Sequence, residues 1–138
     1  MKKSIEKLIP RALQAVEEHL AHGGTVPSAY NGYIASMGAS IVQMGLLPTL
    51  AFYSLGKSED APGTDNEKGA DTKEDRSKLL LTIFKIIEPE ESANYQGTLL
   101  KYALEENVNQ RFLKKRILNA AIAVKLAIRT FKLEDSNN

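Results

Sequence analysis

The chain has 138 residues, 43% of them hydrophobic and 25% charged, with a formal net charge of +1. That suffices for one globular domain that buries about two-thirds of its unfolded surface, and it argues against a disordered or fibrous chain. Cysteine is absent, which excludes disulfides, thiolate nucleophiles and zinc–thiolate sites and agrees with a reducing compartment.

The N-terminal stretch MKKSIEKLIPRALQAVEEHL is charged throughout, so it offers no apolar signal-peptide core. Residues 4–21 predict an amphipathic helix, with Ile5, Leu8, Ile9, Ala12, Leu13, Val16 and Leu20 on one face. Pro10 lies inside the pattern and predicts a kink, and Gly23-Gly24 provides the stop. Lys2, Lys3, Lys7 and Arg11 lie towards the start of this helix and Glu17 and Glu18 towards its end. The helix dipole favours the reverse order by a few tenths of a kcal/mol per exposed charge. Two readings stay open: the lysines are simply solvated, or they face an anionic partner.

From His19 to Gly56 there is no Lys, Arg, Asp or Glu. Pro27 suits a first helical turn, and Tyr30, Tyr33, Ile34, Met37, Ile41 and Met44 recur at spacings of three and four. This assigns Tyr33, Ile34, Met37 and Ile41 to a core seam. Gly32, Ser36 and Ser40 lie four apart, a spacing that lets a second helix of the same subunit approach closely. Tyr30 and Asn31 are then expected at the rim, as outward protein contacts. Gly45 closes the helix and LLPTLAFYSL forms another short one. The segment is long enough to span a membrane. Gln43, Pro48, Thr49, the serines and the lack of a flanking basic cluster favour a hairpin buried in a soluble bundle.

Residues 57–78 carry seven acids and five bases and no strongly apolar side chain, which predicts a long, charged, disordered loop. Helical spacing resumes at Leu79 to Ile87. Pro89 breaks it and opens a further helix through Tyr95, Leu99, Leu100, Ala103 and Leu104 to about Asn107. A last helix covers about Asn109 to Leu133. Its charges are Arg111, Lys114, Lys115, Arg116, Lys125, Arg129 and Lys132, with no interleaved acid. At about 100° per residue all but Arg116 fall in a sector roughly 100° wide, and Arg111 to Lys132 spans about 30 Å. Phe112, Leu113, Ile117, Ala120, Val124, Ile128 and Phe131 fall on the opposite, apolar side.

Catalytic chemistry is sparse. His19 and His22 with Glu18 lack a convergent further ligand, Glu90-Glu91 and Glu105-Glu106 are adjacent pairs typical of solvated helix faces, and no strand precedes a phosphate loop. The reading is a binding protein: not an enzyme, without cofactor, metal or small-molecule substrate. The basic rail is open to three readings, a solvated face, a surface for membrane or acidic protein, or a track for nucleic-acid backbone. With Phe112 and Phe131 on the apolar side, stacking on bases is not expected, and contact would be to the backbone without sequence readout.

The stretches LIPRALQAVEEHL and VPSAYNGYIASMGASIVQMGLLPTLAFY resemble the small subunit of the type III-B CRISPR RNA-silencing (Cmr) effector complex. The likeness is carried by Tyr30, Gly32, Tyr33, Ile34 and Ser36, then Gly38 to Ile41, then Gly45 to Tyr53. It covers the chain apart from residues 57–78, and Met37 stands where an aromatic is expected. The resemblance implies an all-α domain without catalytic residues, in the cytoplasm of a prokaryote and off the membrane. It further implies stacking with further copies of itself beside the backbone and large subunits, where the stack helps hold target RNA on the guide RNA. The expected architecture is a compact bundle of about five to six helices in a single domain, 1–138, with the loop at 57–78 and a frayed tail at 134–138. Tyr33, Ile34, Gly38, Ile41, Gly45, Leu47, Pro48 and Phe52 are its signature and core. Arg111, Lys114, Lys115, Lys125, Arg129 and Lys132, with Lys3 and Lys7 as lesser contributors, are the expected RNA-backbone contacts. The alternative is a pure assembly scaffold in which both the uncharged hairpin and the basic helix meet protein.

Overall fold

Apolar residues at three- and four-residue spacing need a common interior, and in a computed structural model they find it as an all-α bundle. Backbone is described for residues 2–55, 66–95 and 98–134, and side chains for 5–54, 76–95 and 98–131. Among them are seven helices: α1 (Lys2–His19), α2 (Ala29–Met44), α3 (Leu46–Leu55), α4 (Asn66–Ile87), α5 (Pro89–Asn94), α6 (Leu99–Ala103) and α7 (Gln110–Ile128). Strands β1 (Thr25–Pro27) and β2 (Lys132–Glu134) pair in parallel, Val26 opposite Leu133.

α4 is the central element, packed against α1, α2, α3, α5, α6 and α7. Its Leu79, Ile83, Phe84 and Ile86 are fully buried with Val16 and Leu20 of α1, Met37 and Ile41 of α2, Leu50 of α3 and Ile117 and Ile128 of α7. Each such side chain contributes about 1.5–3 kcal/mol when removed from water. Phe84 also lies against Tyr102, ring centroids 5.3 Å apart.

α1 and α7 lie side by side and run in the same direction. Lys7, Leu8 and Arg11 share a groove with Phe112, Lys115 and Arg116 near both starts, while the segments that follow both helices pair as β1 and β2. The C-terminal end of α4 meets this shared start. Arg11 donates to the Ile86 carbonyl at 3.3 Å, and Arg116 donates to the Ile87 carbonyl and pairs with Glu88. Two guanidiniums thus satisfy carbonyls that the end of a helix leaves without partners.

Several expectations shift. Pro27 belongs to β1 and Ser28 is the N-cap of α2. The strand pair was not expected, since three residues carry no readable alternation. α4 begins at Asn66, upstream of the boundary expected at 78, because no proline interrupts the chain between Pro62 and Pro89. The remainder of the charged loop, 57–65, and the last four residues of the expected frayed tail, 135–138, lie outside the described residues. The helix expected from Pro89 to Asn107 is divided into α5 and α6, with Thr98 extended at φ −90 and ψ 92. Gly23 and Gly24 stop α1 with φ 60 and 84.

Candidate functional site

The basic helix starts cleanly. Asn109 is extended and its side chain accepts from the Phe112 N–H at 3.0 Å, a cap that fixes where α7 begins. Leu113, Ile117, Ala120, Val124 and Ile128 are buried, so the opposite side faces out. Arg111, Lys115 and Arg129 are exposed and Lys114 and Lys125 half-buried. Arg116, which the wheel separated from the others, is the one used to cap α4.

The rail is shorter than expected and divided. α7 ends at Ile128, where the Thr130 hydroxyl donates to the Ala127 carbonyl at 2.8 Å and the chain turns into β2. Lys132 therefore sits on a strand and does not extend the helical rail; its side chain, like that of Lys3 in the first turn of α1, lies outside the described residues. Ile122, 44% exposed, lies within the basic sector between Lys115 and Lys125, and Leu126, 40% exposed, borders it. Ten residues separate those lysines, about 15 Å of helix. The surface is thus two basic clusters flanking an apolar band.

The larger cluster spans two helices. Lys7, Arg11, Lys115 and Arg116 line a groove of about 480 Å³ with Leu8, Ile87, Phe112 and Asn119. Neither α1 nor α7 has an acid in its first turn. The parallel run brings the first turns of both helices to this end of the molecule, where the C-terminal carbonyls of α4 take Arg11 and Arg116 and leave Lys7 and Lys115 to face outward. Phe112 corrects the sequence reading. It is 61% exposed, with the Arg116 guanidinium 5.7 Å from its ring centre. On the wheel it stands about 100° from Arg111, on the edge of both sectors, and at the first turn no neighbouring helix covers it.

The uncharged hairpin also differs from expectation. Tyr30 is only 2% exposed and meets Tyr33 edge to face, so it belongs to the core and cannot serve as an outward contact in this fold. Asn31 is half-buried. Ile34, Met37 and Ile41 form the expected seam, with Tyr33 and Leu47 packed against it. Phe52 is 50% exposed beneath Arg76, 4.5 Å from its ring centre, and Pro48 is exposed; neither is core. Gly32 and Ser36 face outward, and a Cβ built at Gly32 or Gly38 meets nothing within 4 Å. Among the described residues, Gly32 and Ser36 therefore do not seat a helix of the same subunit. With Ala35, Ala39 and Val42 they form an exposed, uncharged face. An apolar groove between α2 and α7, lined by Ile34, Ala35, Gly38, Leu118 and Ile122 among others, adjoins it.

Among the described residues no group of three His, Cys, Asp or Glu side chains is placed to hold a metal ion, and no helix is long and apolar enough to cross a membrane. His19 lies 3.7 Å from Glu18, and His22 is in the following turn. Tyr102 donates to Glu88 at 3.2 Å; burial first, and then that carboxylate, push its phenol up, so it remains a donor.

No curated protein and no solved structure matches the chain. The family model described as CRISPR-associated protein (Cas_Cmr5) matches residues 6–128, a span that holds α2 to α7, the grooves and α1 from Glu6 onward. An all-α bundle with this match is a member of that family: the chain belongs to the CRISPR-associated Cas_Cmr5 proteins, the small subunit of the type III-B (Cmr) effector complex.

Proposed function

We propose that this subunit helps hold target RNA within the Cmr complex through the shared basic end of α1 and α7, without catalysing a reaction. The observation that carries the reading is the convergence of cations from two helices on one groove. Lys7, Arg11 and Lys115 surround one groove, with Arg111 and Lys114 beside them on α7 and no acid in the first turn of either helix. A phosphate backbone relieves that arrangement and displaces counterions. Arg129 and Lys125 form a second, smaller contact. The exposed uncharged face of α2 and the apolar α2–α7 groove meet other subunits or further copies of this chain. Stacked copies repeat the basic end along the RNA, so weak contacts add through avidity and the isolated subunit binds RNA poorly.

Photocrosslinking of the assembled complex to target RNA tests the assignment. Crosslinks are expected at Lys7, Arg111, Lys114 and Lys115. Crosslinks to other subunits with none on α7 would overturn it in favour of a scaffold. The scaffold reading has its own support in the exposed apolar residues Val42, Met44 and Ile122. It requires the basic end to face acidic protein.

A further inference from the structure

We infer that the groove at the start of α1 and α7 holds one unpaired RNA base on the face of Phe112. The inference rests on the proposed RNA contact and adds base stacking to what that reading treats as backbone contact alone. Phe112 is a large apolar side chain left 61% exposed on the wall of the groove that Lys7, Arg11, Lys115 and Arg116 line, with Glu88, Glu91 and Glu105 in the neighbouring pocket on its other side. A solvated basic face has no use for it, and a purely electrostatic rail needs no ring. Burial in the fold does not explain it either: its neighbours Leu113 and Ile117 supply the packing of this turn.

The surroundings suit a base. The Asn109 cap fixes the first turn of α7 through the backbone N–H of Phe112 itself. Arg116, close to the ring, is tied to the Ile87 carbonyl and to Glu88, so one side of the site is fixed before any ligand arrives. Lys7 and Lys115 line the same groove and reach the flanking phosphates as point charges. Asn119, also lining it, offers both a donor and an acceptor to a base edge. An aromatic ring in a cationic groove is the arrangement by which single strands are held without strict sequence preference, since every base has a π-face. A duplexed base cannot reach the ring, so the ligand is a single-stranded or locally unpaired nucleotide.

The test uses the 138-residue subunit, at an ionic strength low enough for its weak RNA binding to be measured, with short single-stranded RNA, intact or carrying abasic ribose throughout. Phe112→Leu, which keeps an apolar side chain but removes the π-face, is expected to weaken binding of the intact strand by about 5- to 150-fold, the loss of one stack. It should leave the abasic strand and the salt slope unchanged, and Phe112→Trp should retain affinity. Equal binding by Phe112→Leu and the parent chain to intact RNA overturns the inference, as does an equal loss on both strands. The underlying backbone contact is read separately by Lys114→Glu with Lys115→Glu, which should weaken both strands. If that pair changes nothing, the RNA reading itself fails. Loss of incorporation of Phe112→Leu into complex assembled without target RNA would assign the ring to a protein interface and overturn the inference.

Discussion

Replacing Arg116 by Met separates the structural cation of α7 from those that face outward. The guanidinium donates to the Ile87 carbonyl and pairs with Glu88, whose carboxylate also accepts from Tyr102. A hydrogen bond to a charged group is worth about 1.5–3 kcal/mol when its partner is left behind. The side chains of Arg116 and Glu88 are 31% and 28% exposed, so water replaces part of what is lost and a total of about 2–3 kcal/mol is expected. For a chain of this size the midpoint of thermal unfolding should fall by roughly 6–15 °C. Lys115→Met, at an exposed neighbour, should change stability by no more than about 0.5 kcal/mol. Circular dichroism melts of both variants, with Glu88→Gln to complete a double-mutant cycle, provide the measurement. A loss below about 0.5 kcal/mol for Arg116→Met would refute the assigned capping role, and additivity with Glu88→Gln would refute the ion pair.

Glycine positions should respond in opposite directions. Gly45 sits at φ 101 and ψ 166, a region essentially reserved for glycine, so Gly45→Ala should cost about 1–3 kcal/mol by denaturant unfolding. Gly32→Ala, at the end of the first turn of α2 with open space beside it, should stabilise the isolated subunit by about 0.5 kcal/mol. A loss there would mean that a helix does pack against the small-residue face. His19 sets a pH dependence: burial first, and then Lys85, push its imidazole below the ordinary 6.5, with Glu18 opposing. The unfolded chain then binds the proton more readily, so stability should be fully present above about pH 6.5 and decline as pH falls below it. In His19→Gln the slope of stability against pH just below that value should flatten, and an unchanged slope would contradict the assignment.

The parts legible in the sequence are those that a single helix determines. Spacing placed Ile34, Met37 and Ile41 on the seam, and Gly23-Gly24 and Gly45 at their stops. Wheel angle set Arg116 apart from the rail, and the structure shows why: its partners lie on α4 and at Glu88. What a wheel cannot tell is which neighbour covers a given angle. Tyr30 was assigned to the rim, and Phe52 and Phe112 to the interior, because periodicity ranks residues within one helix and says nothing of where the adjacent helix ends. The stripe Gly32, Ser36 and Ser40 has the composition of a close helix contact, yet Gly32 and Ser36 face outward in the subunit. β1 and β2 pair residues more than a hundred positions apart, and that pairing accompanies the parallel run of α1 and α7. The joint basic end follows from that topology, so the sequence showed its cations but not their convergence.

The salt dependence of target-RNA capture addresses the proposed role most directly. Dissociation constants of assembled complex would be measured across a salt series, with the parent subunit and with Lys114, Lys115, Lys125 and Arg129 all changed to Glu. Four lost single-strand phosphate contacts should make the log–log slope shallower by about three units while capture weakens. Thermal melting of the variant subunit should confirm that it remains folded. Unchanged capture with an unchanged slope would contradict RNA holding by this surface and leave the subunit as an assembly element.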